Sequence, residues 1–212
     1  EKLNFTVSAG EFCTLVGTSG CGKTTFLRML LGEEQPSQGE ILMDGKPLPA
    51  EPGPDRGVVF QRYSVLPHLS VLGNVMLGPE LKTGGIFARA FGARRALIRR
   101  EAESLLDAVG LSHALNRYPA ELSGGMQQRL AIAQALIMKP RILLLDEPFG
   151  ALDPGIRADM HELVLRLWRE TGVTVFMVTH DLKEGFSLGT RLMVFDKIRR
   201  DAQAPNAYGA TI

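Results

Sequence analysis

The chain has 212 residues, of which 45% are hydrophobic and 22% are charged, a composition typical of a folded protein with one substantial core. The formal net charge of +1 at pH 7 gives no electrostatic reason to expect binding to nucleic acid. No apolar segment is long enough to cross a bilayer, so any membrane association would go through a partner protein. The two cysteines have neither metal-ligand spacing nor a disulfide framework, which favours a reducing, cytosolic compartment. Because residue 1 is Glu, we treat the chain as a piece of a longer protein.

The first quarter of the chain combines short strands with one strand-loop-helix unit. Apolar and polar residues alternate over 3–7, which predicts a half-buried strand, and 12–16 is an apolar run typical of a buried strand. A glycine-rich loop and a helix over 23–31 follow. Residues 39–43, ended by Asp-Gly, indicate part of a hairpin, and 57–60 indicate a short buried strand.

From about residue 74 to residue 138 the strand signals disappear. Charged helical runs such as 94–110 replace them. Residues 126–137 have the pattern of a helix, whose apolar side carries Leu130, Ile132, Ala133 and Leu136. This part of the sequence therefore predicts an inserted helical lobe.

Strand character returns in three apolar runs, 142–145, 173–178 and 192–195, separated by helices near 155–171 and 182–188. Buried strands that alternate with helices predict a parallel sheet covered on both faces. In such sheets the active groups gather at the carboxyl ends of the strands. The tail, 201–212, is rich in small residues, and we assign it no chemistry.

Residues 17–24 read Gly-Thr-Ser-Gly-Cys-Gly-Lys-Thr, the pattern of a phosphate-binding loop, and they stand between a predicted strand and a predicted helix. The glycines let consecutive N–H groups point at phosphates, and the helix dipole favours an anion. Lys23 would reach the β- and γ-phosphate oxygens, and the Thr24 hydroxyl would ligate Mg²⁺. The alternative is a plain glycine turn, against which the flanking strand and helix argue.

Two adjacent carboxylates, Asp146 and Glu147, follow a buried apolar strand. Neighbouring negative charges repel, so both groups can be ionised only beside a cation. With Mg²⁺ as that cation, Asp146 would hold the metal through its water shell, and Glu147 would polarise the water that attacks a γ-phosphate. The alternative is an aspartate that caps the next loop, which Pro148 and Gly150 open.

Two further polar residues come at the ends of predicted strands. Gln61 follows 57–60 and could bind Mg²⁺ or the attacking water, although an ordinary exposed glutamine is the commoner case. His180 ends 173–179, where it could hydrogen-bond a γ-phosphate. The remaining histidines have helical or loop surroundings and are interpreted as structural or solvated: His68, His113 and His161.

Residues 122–129 read Leu-Ser-Gly-Gly-Met-Gln-Gln-Arg. Ser123 is a good N-cap for the following helix, which is the simplest interpretation. Two consecutive glycines weaken a helix, however, so they suggest that a ligand or another backbone comes close to bare amides at its positive end. Such an N-terminus is an anion site.

Together these residues resemble the nucleotide-binding subunit of ATP-binding-cassette (ABC) transporters over nearly the whole chain. Six elements occur in the family's order: the Walker A loop 17–24, the Q-loop Gln61, the signature 122–129, Walker B with Asp146 and Glu147, the D-loop 151–153 and the switch His180. The stretches 53–61 and 146–153 resemble importers of the nitrate, sulfonate and taurine group.

The resemblance implies an α/β fold: a P-loop NTPase (RecA-like) core with a mixed sheet, an antiparallel β subdomain and an inserted helical subdomain. It also implies one ABC ATPase domain over 1–212. In that domain 1–73 and 139–200 form the catalytic core with its β subdomain, 74–138 form the helical subdomain, and 201–212 form a C-terminal extension.

The resemblance further implies which residues act at the site. Catalytic roles fall to Lys23, Gln61, Glu147 and His180. ATP is bound by Gly17, Thr18, Ser19, Gly20, Cys21, Gly22, Lys23, Thr24 and Thr25 of one subunit and, in trans, by Ser123, Gly124, Gly125 and Gln127 of the other. Mg²⁺ is held by Thr24, Gln61 and Asp146, and the D-loop residue is Asp153.

By the same resemblance the chain is an Mg²⁺-dependent ATPase that forms a homodimer around two ATP molecules and drives solute import through an integral membrane permease. A solute-binding protein would complete the system, at the cytoplasmic face of the cell membrane, and no nucleic acid is expected as a partner. The alternative is a soluble ABC ATPase that acts on nucleic acid or ribosomes. It would need coiled-coil heptads, a Cys-x-x-Cys hook or a second cassette, and the sequence shows none of them.

Three points stay open at this level. The segment 62–70 resembles part of the groove that grips the permease, and it could equally be a packing patch between lobe and core. The basic residues at 89–100 could favour anionic lipid, although a solvated helix face is the commoner case. The family's adenine-stacking aromatic is not evident, since Phe5 is expected to face the core.

Overall fold

The apolar runs of the sequence become strands, and the longer amphipathic runs become helices. The computed structural model describes residues 3–60, 64–84, 92–198 and 209–211. Its strands are β1 Phe12–Gly17, β2 Leu42–Met43, β3 Lys46–Pro47, β4 Arg56–Val59, β5 Ile142–Asp146, β6 Thr174–Thr179, β7 Arg191–Ile198 and β8 Gly209–Thr211. Its α-helices are α1 Lys23–Leu31, α2 Val71–Gly84, α3 Ala93–Ala108, α4 Gly124–Leu136, α5 Pro154–Thr171 and α6 Leu182–Leu188, and 3-10 turns cover Ser112–Ala114 and Pro119–Glu121.

The larger sheet has the strand order β4-β5-β6-β1-β7-β8. The strands from β4 to β7 are parallel, and β8 adds to the edge in the antiparallel sense. Because β1 lies between β6 and β7, Val16 is in register with both Thr179 and Val194. The carboxyl ends of β1, β5 and β6 therefore meet at one edge of the sheet. Together with the small antiparallel pair β2–β3, this confirms the predicted α/β fold with a mixed sheet.

Helices cover both faces of the sheet, because alternate residues of each buried strand point to opposite sides. On one face Phe26 of α1 packs against Phe176 and Phe195, with ring centroids 6.0 and 5.7 Å apart. On the other face Phe12 meets Trp168 of α5 edge-on at 5.7 Å, and the Trp168 indole N–H donates to the Gly10 carbonyl at 2.9 Å. Two apolar clusters result, one with α1 and one with α4 and α5.

Helices α2, α3 and α4 pack against one another beside the sheet. The apolar stripe of α3, formed by Ile98, Ala102 and Leu106 at helical spacing, is buried. Two arginines hold the carbonyl end of this helix: Arg129 of α4 donates to the Val109 carbonyl at 2.9 Å, and Arg166 of α5 donates to that of Ala108 at 2.5 Å. The predicted helical character of this region agrees with these helices, whereas the subdomain limits at 74 and 138 stay a prediction.

Two N-terminal expectations differ from the structure. Residues 3–8 form no strand. Phe5 is 37% exposed and its ring lies 5.9 Å from that of the buried Phe26, so it packs at the edge of the core instead of inside it. A strand requires a backbone partner, and the contact that Thr6 makes is a hydrogen bond from the Arg191 side chain to its carbonyl. The hairpin at Asp44 is present but short, because only β2 and β3 pair beside it within the described residues.

Candidate functional site

Glycines shape the loop between β1 and α1. Gly17 has a φ of 155°, and a Cβ there would overlap the carbonyl oxygen of Phe195, so a side chain does not fit. Gly22, the residue before α1, has a φ of 104° in the left-handed region. The loop therefore turns the chain onto the N-terminus of α1, where free backbone N–H groups favour an anion.

The Lys23 side chain folds back into this loop. Its Nζ donates to the carbonyl oxygens of Gly17 at 2.7 Å and Thr18 at 3.1 Å, and it lies 3.6 Å from the Cys21 Sγ. Lys23 is only 7% exposed, so its charge is satisfied by the loop itself. The predicted loop residues that face solvent are Thr18, Ser19, Gly20, Thr24 and Thr25. The loop thus exposes hydroxyl and backbone groups to solvent and encloses the Lys23 ammonium.

The carboxylates Asp146 and Glu147 lie at the end of β5, between the neighbouring strands β4 and β6. Burial, followed by the charge of Glu147, raises the pKa of Asp146, and Lys23 and Arg28 act in the opposite direction. Glu147 has a φ of 46°, a strained conformation for a residue with a side chain, and its N–H donates to the Val178 carbonyl at 3.0 Å. The two carboxylates therefore lie close together at a half-buried strand end.

The switch histidine meets the second of these carboxylates. His180 Nδ1 lies 3.4 Å from Glu147 Oε2, and the histidine side chain is 67% exposed. The contact exists because β5 and β6 are neighbours, with Asp146 in register with Val178. The sheet thus brings Glu147 and His180 together, as predicted, although they are more than thirty residues apart in the sequence.

The predicted Q-loop residue, Gln61, lies outside the described residues. Of the segment 62–70, the described part is held by the buried Asn74 side chain, which accepts from the Leu66 N–H at 2.7 Å and donates to the Leu66 and Leu69 carbonyls at 3.1 and 3.0 Å. Val65 packs against the apolar core, which favours packing for that residue, whereas His68 is exposed. The described part of this segment is therefore a turn anchored by Asn74, and its contact with a permease stays a prediction.

The signature stretch forms the start of α4. Ser123 is the N-cap, and its Oγ accepts from the Met126 N–H at 3.4 Å. A Cβ on the buried Gly125 would lie 2.7 Å from the Cγ2 of Ile156, so packing against α5 by itself requires a glycine there. The Gln127 amide donates to the carbonyls of Pro119 at 3.0 Å and Leu122 at 3.2 Å, which orders the preceding turn. Ser123 and Gly124 remain exposed.

Helices α1 and α4 lie on opposite faces of the sheet. The buried residues of α1 share a cluster with Cys13 and Leu15, whereas those of α4 share a cluster with Phe12. Since successive residues of β1 point to opposite faces, the sheet separates the two helices. The phosphate loop and the signature stretch therefore sit on different layers of one chain.

The family model described as "ABC transporter" matches residues 1–150, about seven tenths of the chain. The chain belongs to the ABC transporter family. It is 45% identical over 194 residues to the nitrate import ATP-binding protein NrtC of Synechococcus elongatus, and 43% identical over 194 residues to the bicarbonate transport ATP-binding protein CmpC of a Synechocystis species. Each match covers 92% of this chain and 28% of the relative, so the chain spans less than a third of their length.

The fold of this ABC cassette also matches a solved structure, the dimeric post-hydrolysis state of the ATP-binding cassette MJ0796 bound to ADP and Pi. The TM-score is 0.76 at 33% identity, and the match covers 92% of this chain and 84% of that one. The family resemblance stated from the sequence is thereby confirmed. Among the described residues, no helix is both long and apolar enough to cross a membrane.

The D-loop of this ABC chain leads from the carboxylates into α5. Asp153 is the exposed N-cap residue of α5, and its side chain makes no capping hydrogen bond within the described part of the chain. Leu152 is buried, and its carbonyl accepts from Arg157 Nη2 at 3.1 Å. The aspartate is therefore left facing outward at the end of an anchored turn.

Sequence reasoning missed a buried polar group beside the switch. Glu184 of α6 is 7% exposed and accepts from the Thr179 hydroxyl at 2.6 Å. His161, interpreted from the sequence as structural or solvated, contacts the same carboxylate through Nε2 at 3.3 Å. The sequence feature that could have indicated this group is the position of Glu184, an acidic residue four positions after His180. It lies on the side of α6 that also buries Gly185 and Leu188.

Proposed function

We propose that this chain is the ATP-binding and ATP-hydrolysing subunit of an ABC importer. The observation that supports it most is the contact of 3.4 Å between Glu147 and His180, at the strand ends next to the phosphate loop. A carboxylate held by an exposed histidine at the mouth of an anion-binding loop suits the activation of water against a phosphate.

The phosphate loop would bind the nucleotide. Backbone N–H groups at the start of α1 would contact the phosphates, with the outward residues Thr18, Ser19, Gly20, Thr24 and Thr25 lining them. Lys23 would leave its loop carbonyls for the β- and γ-phosphate oxygens. Gly17 and Gly22 keep the loop open, and Cys21 packs beneath it.

The residues at this edge fit Mg²⁺. Thr24 offers an exposed hydroxyl, and Asp146 offers a carboxylate at the end of β5, which are oxygen donors of the kind that Mg²⁺ prefers. Among the described residues no cluster of three or more His, Cys, Asp or Glu could hold a metal alone, as expected for an ion that keeps waters and takes phosphate oxygens. Bound there, Mg²⁺ would neutralise phosphate charge, and Gln61 would be its third protein ligand.

Glu147 would act as the general base. Its strained backbone and the N–H bond to Val178 fix the carboxylate at the strand end, where a water could be oriented toward the γ-phosphate. His180 would hold that carboxylate through Nδ1 and turn its exposed Nε2 toward the γ-phosphate.

Two copies of the chain would complete each site. Because α1 and α4 cover opposite faces of the sheet, Ser123, Gly124 and Gly125 of one copy would reach the ATP held by the phosphate loop of the other. Asp153 would lie at the same interface. The resemblance also predicts that Gln127 contacts the nucleotide, whereas its amide bonds to the Pro119 and Leu122 carbonyls favour a role in shaping the signature turn. The dimeric cassette with ADP and Pi supports such an arrangement.

The relatives support a role in import. NrtC is a nitrate import protein and CmpC a bicarbonate transport protein, so we propose a small anion as cargo, with an integral membrane permease and a solute-binding protein as partners. The chain would then sit at the cytoplasmic face of the membrane, and we keep the subdomain limits of 1–73 with 139–200, 74–138 and 201–212. No observation favours the alternative of an ATPase acting on nucleic acid or ribosomes.

The test is the substitution Glu147→Gln, which keeps the size of the side chain and removes the base. We expect ATP turnover of the purified chain to fall about 1000-fold, ATP affinity to be kept, and a stable dimer to accumulate with ATP in size-exclusion chromatography. Glu162→Gln, at an exposed position of α5, is the matched control and should behave as the wild type. Wild-type turnover by Glu147→Gln would remove the base role.

A further inference from the structure

The backbone on both sides of His180 is held by one hydroxyl group. The Thr179 Oγ1 donates to Glu184 Oε2 at 2.6 Å and accepts from the Asp181 N–H at 3.0 Å. Thr179 is 2% exposed and its bond to Glu184 is buried, so that bond is shielded from water. The position of the histidine therefore depends on where the Glu184 carboxylate stands.

Glu184 is in turn anchored to α5. Its Oε1 lies 3.3 Å from His161 Nε2 and 3.8 Å from Arg157 Nε. Burial acts to raise the pKa of Glu184, but the hydrogen bonds from His161 and Thr179, with the charges of His161 and Arg157, outweigh it and lower the pKa. The group is thus an ionised carboxylate inside the protein, held between the switch segment and α5.

Helix α5, which carries His161 and Arg157, also contacts the segment that follows Glu147. The His161 ring packs edge-on against Phe149 at 4.8 Å, two residues beyond Glu147. Arg157 also donates to the carbonyl of Leu152 in the D-loop at 3.1 Å. Contacts from α5 therefore reach both partners of the Glu147–His180 pair, each through one or two side chains.

Packing alone does not explain a charge at this position. Withdrawing a carboxylate from water is costly, and an apolar residue of similar size would fill the same space between α6, α5 and β6 at less cost. Buried polar groups with fixed partners specify one geometry more than they add stability. Here the geometry that they specify is that of the segment carrying His180.

We propose that Glu184 and His161 are positioning residues for ATP hydrolysis, which hold His180 against Glu147 through the Thr179 hydroxyl. The inference rests on the proposed function, because it concerns the rate at that site. Loss of the anchor leaves the phosphate loop intact, so it lowers kcat and spares nucleotide binding.

Thr179→Val tests this directly, since it removes the hydroxyl and keeps a β-branched side chain of nearly the same volume. The expected result is a loss of kcat of about tenfold, with the dissociation constant for a fluorescent ATP analogue changed by less than about twofold. Thr179→Ser restores the hydroxyl and the rate. The matched control is Thr174→Val, which removes a hydroxyl that accepts from the Gly10 N–H at 3.0 Å at the far end of the same strand.

A second pair of variants decides the matter if Thr179→Val does not fold. His161→Leu removes the bond to Glu184, whereas His161→Gln keeps a donor, so His161→Leu is expected to lose kcat about tenfold and His161→Gln to keep most of it. Wild-type kcat in every folded variant among Thr179→Val and His161→Leu overturns the inference alone. A wild-type chain without ATPase activity, or an active Glu147→Gln, overturns the proposed function and this inference with it.

Discussion

The N-termini of α1 and α4 differ in what they provide. The start of α1 follows a left-handed glycine without a side-chain cap, and the buried ammonium of Lys23 stands inside the loop that precedes it. The start of α4 is capped by the hydroxyl of Ser123, and Gly124 faces solvent. An anion at the start of α1 would meet backbone N–H groups and the full positive charge of Lys23. An anion at the start of α4 would meet only backbone N–H groups and the Ser123 hydroxyl. In the proposed function, the start of α1 would therefore hold a phosphate by itself, and the start of α4 would add contacts to a phosphate that is already bound.

Removing the Lys23 charge at the start of α1 should have the largest effect on ATP binding. We expect Lys23→Ala to weaken ATP binding about 100-fold, because charge-assisted bonds to phosphate are the strongest that the loop provides. Equilibrium titration with a fluorescent ATP analogue measures it. The control Lys139→Ala removes an exposed lysine that pairs with Glu101 at 3.2 Å and should bind as the wild type. Equal binding by both variants would show that the loop does not depend on its cation.

A change at the start of α4 should instead lower hydrolysis and leave ATP binding nearly unchanged. Ser123→Arg places a bulky cation at the start of α4, so we expect hydrolysis to fall about 100-fold while ATP binding changes by less than about twofold. Hydrolysis rate and ATP titration are measured on the same preparation, with Ser112→Arg as an exposed control in the same lobe. If the wild-type rate per subunit were independent of protein concentration, the signature would not act across a dimer.

Labelling of the two cysteines tests the start of α1 through a smaller expected effect. Burial, with the nearby charge of Glu11, raises the pKa of Cys13 to about 12, so almost no thiolate forms at pH 8. Because its pKa is raised, the small thiolate fraction of Cys13 grows with pH up to about 12, so we expect its labelling in the folded protein to be very slow at pH 8 and to speed up as the pH rises. Cys21 lies within the loop, so slow labelling there should be suppressed several-fold by ATP. Mass spectrometry of alkylated peptides distinguishes the two sites, and labelling of Cys21 that ATP does not change would count against its placement.

The same comparison shows what the sequence could and could not predict. Helix α1 begins and ends where predicted, at Lys23 and Leu31, since its limits are set by local glycines at both ends. Alternation of apolar and polar residues predicts a strand over 3–7, but alternation does not reveal whether a partner strand is present. The contact between His161 and Glu184 joins residues 23 apart, and no local pattern encodes such a pair. The motifs on the strand ends were predicted because each follows an apolar run directly.

The packing of Gly125 against Ile156 is another limit of local reasoning. From the sequence, both glycines of the signature stretch were interpreted as room for a ligand or a second backbone. The structure gives one of them a contact within its own chain, since Ile156 of α5 occupies the space where a side chain would stand. Periodicity and motif spacing describe each helix separately, so they do not show which neighbouring helix comes close to a given residue.

The enclosed position of Lys23 has a kinetic consequence. An ammonium that already has the carbonyls of Gly17 and Thr18 as acceptors must release them before it can bind a phosphate oxygen. In the proposed function, nucleotide association would therefore be an exchange of hydrogen-bond partners that follows a first encounter. We expect its observed rate to level off at high ATP concentration instead of rising without limit. In the proposed function, the same lysine would thus contribute to the affinity of the loop for nucleotide and limit the rate at which nucleotide binds.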